Sequence, residues 1–377
     1  MGDRQMLPVH TTQTSRFSVM APLAYGWRRR VAGVGTLAGM DPDRHGDADA
    51  KPGMTDFAVN VRPGPPGFLA QVLRDSVAGL AAYPRRADED EARTALGALH
   101  GRTADEVLLL NGAEEGFELV AGLPSRHAAV VVPSFTEPVV LLHKAGVRVT
   151  EVVGTPPWRL ADVYRDIPAD ADLVVVGNPT NPTSVRHPAD DVLALRAPGR
   201  LLVVDEAFAD LGGGSVAGCG LDDVVVLRSM TKTFGLAGLR AGYLIAAPGV
   251  IADLSRRRRA WPVDTPTLAA LTACAGAAGQ AYVAEQAAEV AAERDYLCRT
   301  LRDAGFSLPV EPDAPFVLAR HPGAPAIREG LARRGIAVRS AENFTGLSAE
   351  YLRFAVRPRA LVDDLSQALE SVLEEIA

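Results

Sequence analysis

Three apolar runs in the middle of this chain each stop abruptly on polar residues. They are Leu173-Val174-Val175-Val176 before Gly177-Asn178-Pro179-Thr180-Asn181, Leu201-Leu202-Val203-Val204 before Asp205-Glu206, and Val224-Val225-Val226-Leu227 before Arg228-Ser229. Short, continuous, β-branched runs predict strands buried on both faces, the habit of parallel strands covered by helices. Strand-like and helix-like segments alternate around them. Helices are expected over 69–82, 90–100 and 138–145, and strands near 107–110, 129–132, 147–152, 242–246 and 337–339. Such alternation predicts an α/β fold with a mostly parallel sheet and helices on both of its faces. Open sheets of this kind bind ligands just past the carboxyl ends of their strands, where the polar residues sit.

One of these strand ends carries a lysine. Arg228-Ser229-Met230-Thr231-Lys232-Thr233-Phe234-Gly235 continues through Ala237 to Arg240. Taken alone, Lys232 reads equally as an exposed loop lysine. At the end of a buried strand, however, burial disfavours its ammonium form and frees the amine as a nucleophile toward carbonyl carbon. Ser229 and Arg240 can hold an anion beside it. Asp205, also at a strand end, can face a protonated ring nitrogen, the partner that a pyridoxal cofactor requires. Asn178 and Asn181 add amide side chains, although Asn178 reads as well as a turn residue. Gly112-Ala113-Glu114 opens a helix directly after a strand, so free N–H groups there suit an anion.

Asn-Pro-x-Asn-Pro-Thr at 178–183, Asp-Glu-Ala-Phe at 205–208, and Ser229 with Lys232 and Arg240 occur in an order and spacing that resemble a known family. The chain is similar, from about His45 onward, to the fold-type I pyridoxal-phosphate enzymes of the class I/II aminotransferase family. Within it, the chain looks most like the cobalamin-pathway threonine-phosphate decarboxylase and histidinol-phosphate aminotransferase branches. The resemblance implies pyridoxal 5'-phosphate as cofactor and no metal. It implies a large domain with a sheet of seven-stranded type and a smaller C-terminal α+β domain. Lys232 and Asp205 are then the catalytic pair. Gly112, Ala113, Glu114, Ser229 and Arg240 hold the cofactor phosphate, joined by Tyr83 from a second subunit of a homodimer. Phe135 stacks on the ring and Asn181 bonds its hydroxyl. Phe208 stands where many members have tyrosine, as is common in the decarboxylase branch. Trp261, in Ala260-Trp261-Pro262, also resembles that branch.

For the substrate, the resemblance points to Arg353 in Tyr351-Leu352-Arg353-Phe354, to Arg339, and to His45 in His45-Gly46-Asp47. Asn60 and Arg62 in Asn60-Val61-Arg62-Pro63 border the same place. Arg62 replaces an asparagine usual in the family, and Ser184 replaces a usual glycine. The expected substrate is a phosphorylated amino acid, and the expected activity is that of a threonine-phosphate decarboxylase. The alternatives are a histidinol-phosphate-type or other class I/II aminotransferase passing the amino group to a 2-oxo acid, and a non-catalytic pyridoxal-phosphate-binding sensor.

Composition sets limits around this reading. Across 377 residues the net charge is -7, which argues against a dedicated nucleic-acid binder. Three widely spaced cysteines match no disulfide or zinc framework, so a reducing cytoplasm is expected. No run of eighteen apolar residues suggests a membrane span. Residues 1–44 read as a poorly ordered extension, and Gly33 to Ala38 match a dinucleotide-binding pattern by chance. Residues 45–66 read as a substrate-side arm, 67–270 as the large cofactor domain, and 271–377 as an interdomain helix with the small domain. The run Arg256 to Arg259 reads as a solvated helix end.

Overall fold

The computed structural model describes residues 49–220, 222–256 and 258–376. The expected N-terminal extension and His45 lie outside the described residues. The strands are β1 Thr55–Asp56, β2 Val107–Asn111, β3 His127–Val132, β4 Arg148–Val153, β5 Leu173–Gly177, β6 Leu201–Asp205, β7 Val224–Ser229, β8 Ala241–Ile245, β9 Phe316–Arg320, β10 Ile336–Ala337, β11 Arg339–Ser340 and β12 Tyr351–Ala355. The α-helices are α1 Gly67–Ser76, α2 Arg86–Leu99, α3 Ala113–Ala121, α4 Glu137–Lys144, α5 Ala189–Leu193, α6 Pro248–Ser255, α7 Thr265–Ala275, α8 Ala277–Asp303, α9 Ala324–Arg333 and α10 Arg359–Ile376.

Seven strands form one sheet in the order β2-β8-β7-β6-β5-β3-β4. β8 runs antiparallel to both neighbours, and the remaining pairs are parallel. The alternation of side chains along each strand builds two cores. Val174, Val176, Leu202, Val204 and Val226 point to the face covered by α1, α2 and α7. Val175, Val203, Val225 and Leu227 point to the opposite face, under α3, α4 and α6. The apolar runs are continuous because both faces are buried, so the expected α/β architecture is observed.

β9, β11 and β12 form a smaller antiparallel sheet in the order β11-β12-β9. Its core takes Val317, Leu352 and Phe354 together with Leu297 of α8, Ile327 of α9 and Leu369 of α10. The single strand expected over 337–339 is two strands. β10 pairs in parallel with β1, whereas β11 pairs with β12. The chain changes sheets at Val338, so one apolar run serves two partners.

The carboxyl ends of β6 and β7 are tied by a buried ion cluster. Arg228 Nη1 donates to Glu206 Oε2 at 2.8 Å, and Nη2 bonds Asp210. Asp210 also accepts from Thr233 Oγ1 at 3.2 Å, next to Lys232. In the arginine run, Arg256 and Arg259 are exposed as expected, and Arg258 departs. Arg258 is drawn into a bidentate pair with Glu115 at 2.9 and 2.8 Å.

Breaking the buried cluster from one side leaves Arg228 charged and uncompensated. Glu206→Ala is expected to lower unfolding free energy by about 3–5 kcal/mol in chemical denaturation. A loss below about 1 kcal/mol, the range of exposed pairs, contradicts this reading of the cluster.

Candidate active site

Strand direction gathers the polar residues. β2, β5, β6 and β7 share one direction, so Asn111-Gly112, Gly177-Asn178, Asp205 and Ser229 reach the same sheet edge. β8 runs the other way, so the residue before it, Arg240, arrives at that edge too. Past the edge lies a cavity of about 450 Å³, within the usual range for small-molecule sites. Gly112, Asn181, Asp205, Ser229, Lys232 and Arg240 all line it. Ala113, Glu114, Phe135 and Phe208 line it as well. Asn60, Arg339 and Arg353 enter from the arm and the small sheet.

The chain has only three lysines, and two of them, Lys51 and Lys144, are exposed. Lys232 is half-buried and opens onto the cavity. Burial first, and then the cationic Arg353 and Arg240, pull its amine down to about 8. Its Nζ stands 6.0 Å from the Phe208 ring, which packs edge-on against Phe316 at 4.9 Å. Asp205 moves in the opposite direction. Burial lifts its carboxyl to about 6, although the Ala207 N–H at 3.0 Å and the Lys232 charge favour the carboxylate. At neutral pH this pair therefore supplies a largely ionised acid and an amine near its titration point.

At one end of the cavity α3 begins at Gly112, which has φ of +81° and makes no side-chain cap bond. A Cβ at Gly112 would stand 2.6 Å from Arg240 Nη2. Glycine thus lets the guanidinium lie against the helix start, where uncapped N–H groups and the dipole favour an anion. Arg240 itself has φ of +61°. Such a conformation is costly for a residue with a Cβ, and here it directs the side chain to this corner. Arg240 Nη2 also meets Glu114 Oε2 at 3.2 Å.

At the other end Arg353 is buried. Its Nη1 donates to Asn181 Oδ1 at 2.5 Å and its Nη2 to the Ala58 carbonyl at 2.6 Å. That bond fixes the amide so that its N–H groups are also available to the cavity. Burial first, and Arg339 second, press the Arg353 guanidinium down to about 9. Two guanidinium groups sharing one buried wall make a site that an anion would relieve. Arg339 bonds Asn343 at 2.9 Å and Asp49 at 3.3 Å. Asn60 is 7% exposed, and neither atom of its amide has a partner among the described residues. Buried polar atoms of this kind call for a ligand.

The sequence model for aminotransferase class I and II matches residues 54–372. The chain belongs to that family. A histidinol-phosphate aminotransferase of Mycobacterium tuberculosis is 49% identical over 318 residues, covering 83% of this chain and 86% of the relative. The threonine-phosphate decarboxylase of Salmonella typhimurium is 30% identical over 368 residues, covering 91% and 95%. Among solved structures, the histidinol-phosphate aminotransferase of Clostridium acetobutylicum matches with a TM-score of 0.79 and 25% identity, over 85% of this chain and 100% of that one. A second, from Sinorhizobium meliloti in complex with pyridoxal-5'-phosphate, has a TM-score of 0.80 and 21% identity, over 92% and 100%. At that identity the likeness concerns the fold alone.

The protein is a pyridoxal-phosphate-dependent enzyme of this aminotransferase family, and its cavity fits the cofactor. The uncapped α3 start with Ser229 and Arg240 suits a phosphate. Asp205 suits a ring nitrogen, the Phe135 ring gives an apolar wall, and the Lys232 amine suits an aldehyde.

Some residues expected at the site stand elsewhere. Arg62 is not among the cavity's lining residues. Its guanidinium is turned to α8, where Gln286, Glu293 and Glu289 hold it at 2.8, 2.7 and 3.1 Å. The buried Glu293 and the half-exposed Glu289 supply two opposite charges on that side. Tyr83 is 72% exposed and stacks on Trp261 at 4.3 Å, away from the cavity of its own chain. His45 lies outside the described residues. Ser184 sits at φ of +64°, a backbone that favours glycine. Its Oγ accepts from the Ala314 N–H at 2.8 Å, a bond that glycine cannot make. The sequence reading missed Val59, Phe117, Thr136, Thr231 and Phe344, which also line the cavity. Thr231 and Thr136 adjoin the strand ends and could have been found there, whereas Phe344 carries no local signal.

In protein stripped of cofactor, Lys232 is expected to titrate near 8. The neutral amine is the reactive form, so labelling of Lys232 by an amine reagent should rise through about pH 7–9 and level off above. Arg353→Met removes a repelling charge and should move the inflection upward. Mass spectrometry of the labelled peptide reads both. A rate still climbing above pH 10 in the unaltered chain contradicts the assignment.

Proposed function

We propose that this protein is an aminotransferase of the histidinol-phosphate type, moving an amino group from a phosphorylated amino substrate to a 2-oxo acid. The observation that carries it is the buried Arg339–Arg353 wall facing the Lys232 amine across one cavity. Relatives support the same reading, since the 49% identical mycobacterial protein bears that activity in its name.

Ser229, Arg240 and the α3 N–H groups would hold the cofactor phosphate, Asp205 its ring nitrogen and Lys232 its aldehyde carbon. When bound, the cofactor draws electron density from the substrate's reacting carbon. Lys232 Nζ, held near its titration point, moves the proton at the substrate carbon that bears the amine. Asp205 keeps a negative charge against the ring nitrogen. Arg353 and Arg339 bind the substrate's anionic end, with planar forks suited to phosphate or carboxylate. Phe135 and Phe208 wall off water.

One feature favours decarboxylation of a phosphorylated amino acid as a second reading. Phe208 presents no hydroxyl beside Lys232 and instead packs on Phe316, and the 30% identical Salmonella protein is named a threonine-phosphate decarboxylase. We further propose a homodimer in the cytoplasm. Tyr83 and Trp261, with Val77 and Leu80 also exposed, then form part of the subunit contact, and Tyr83 reaches the partner's phosphate corner. The three cysteines are free, consistent with a reducing compartment.

Purified protein is expected to absorb in the visible, and Lys232→Ala to lose that band and at least about 10²–10⁴-fold in turnover, the range for a lost proton-transfer group. Incubation with histidinol phosphate plus 2-oxoglutarate should yield glutamate. Carbon dioxide released from O-phospho-threonine, with no amino transfer, would overturn the transferase reading in favour of the second. Arg353→Lys should raise KM about 10-fold, as expected when one charge-assisted bond is lost. An unchanged KM contradicts the anion assignment.

A further inference from the structure

We propose that Arg62 is a positioning residue that locks the substrate-side arm, so that the Asn60 amide is presented to the cavity. The part of the arm concerned runs from β1 to Gly64. It is pinned by three guanidinium groups, each making its own point of attachment. Arg357 donates from Nε to the Asp56 carbonyl at 2.6 Å and from Nη2 to the Val59 carbonyl at 2.5 Å. Arg353 reaches the Ala58 carbonyl. The third point is Arg62 itself, bound to three side chains of α8: Gln286, Glu289 and Glu293.

Both partners of the main pair are buried, with side chains 7% and 9% exposed. A pair at this depth is costly to desolvate, and register is the best-attested use of such a pair. What it registers is visible from the backbone. The Arg62 N–H donates to the Lys232 carbonyl at 3.0 Å. Two residues on, the Gly64 carbonyl crosses Gly235 so closely that a Cβ there would stand 2.3 Å from it. The arm therefore lies directly on the lysine's loop. Two residues before Arg62, Asn60 enters the cavity with an amide that has no partner among the described residues. Residues two apart in extended chain point to the same side. Here Arg62 is drawn off to α8 and fixes the backbone from which Asn60 projects. An asparagine at position 62 carries no charge and is shorter than an arginine, so the ion pair with these acids is a property of this chain's arginine.

This proposal rests on the reading that the cavity takes the amino substrate, and the test separates the two. Holoenzyme is assayed as Asn60→Ala, Arg62→Ala, Glu293→Gln and the double change Asn60→Ala with Arg62→Ala. The probes are histidinol phosphate and O-phospho-threonine, whichever is turned over. Asn60→Ala and Arg62→Ala should each raise KM about 10-fold with less change in kcat, a misplacement effect within the range for remote positioning groups. The double change should be no worse than the poorer single, because Arg62 acts through Asn60. Glu293→Gln should move KM the same way, which covers the case in which Arg62→Ala folds poorly. Hydrogen exchange in peptides spanning 57–64 should quicken in Arg62→Ala and in Glu293→Gln, independently of activity. If the two single effects multiply, or exchange in the arm is unaltered, the positioning role is overturned while the site reading stands. If Asn60→Ala alone leaves KM and kcat unchanged, the Asn60 amide does not meet substrate and the positioning role fails, while the site reading, which rests on Arg339, Arg353 and Lys232, is tested by Arg353→Lys.

Discussion

The parallel pairing of β6 with β7 is the constraint on which the site depends. It sets Asp205 beside Leu227 and hence the acid beside the loop that carries Lys232. The Arg228 cluster with Glu206 and Asp210 then fixes the two strand ends against each other. A shift of register by one residue would turn Asp205 to the other face of the sheet and bury it in a helix interface. The electrostatics of the pair follow from this placement. The same enclosure that lowers the amine raises the acid, so the two groups titrate toward each other around neutral pH.

Charge is distributed unevenly around that pair. The molecule is acidic overall, yet Arg240, Arg339 and Arg353 all line the cavity. Arg240 sits beside the α3 start and the other two sit across the cavity on the small sheet. An occupant negative at both ends would match this layout, and a cofactor phosphate together with an anionic substrate supplies such an occupant. The arm residues between the two ends carry little charge toward the cavity, and they contribute an amide instead.

Much of this was legible from the sequence because it depends on strand ends. Buried parallel strands write themselves as unbroken apolar runs, and polar residues within the first few positions past each run fall at the functional edge. Asp205, Ser229 and Asn181 are read in that way. Lys232 and Arg240 needed the family resemblance as well, since a loop lysine and a loop arginine look alike whether buried or not. Side-chain direction in irregular segments leaves no such mark. Arg62 looked substrate-facing because its neighbour Asn60 is, and the acids that capture it lie more than 220 residues further on in α8. Arg258 was misjudged for the same reason, since Glu115 is distant in sequence. The split of one apolar run into β10 and β11 depends on which partner each residue meets, which is a tertiary fact. Phe344 reaches the cavity only because the small sheet places it there.

The sparse lysine content gives this enzyme a direct test of its central covalent link. Holoenzyme is reduced with borohydride, digested and mapped by mass spectrometry for the cofactor-derived adduct. The adduct is expected on the peptide containing Lys232 alone, at close to one per chain, and absent when Asp205 and Lys232 are both replaced. Adduct on Lys51 or Lys144, or a reduced protein that releases all of its cofactor on denaturation, would contradict the link between Lys232 and the cofactor from which the rest of the site is read.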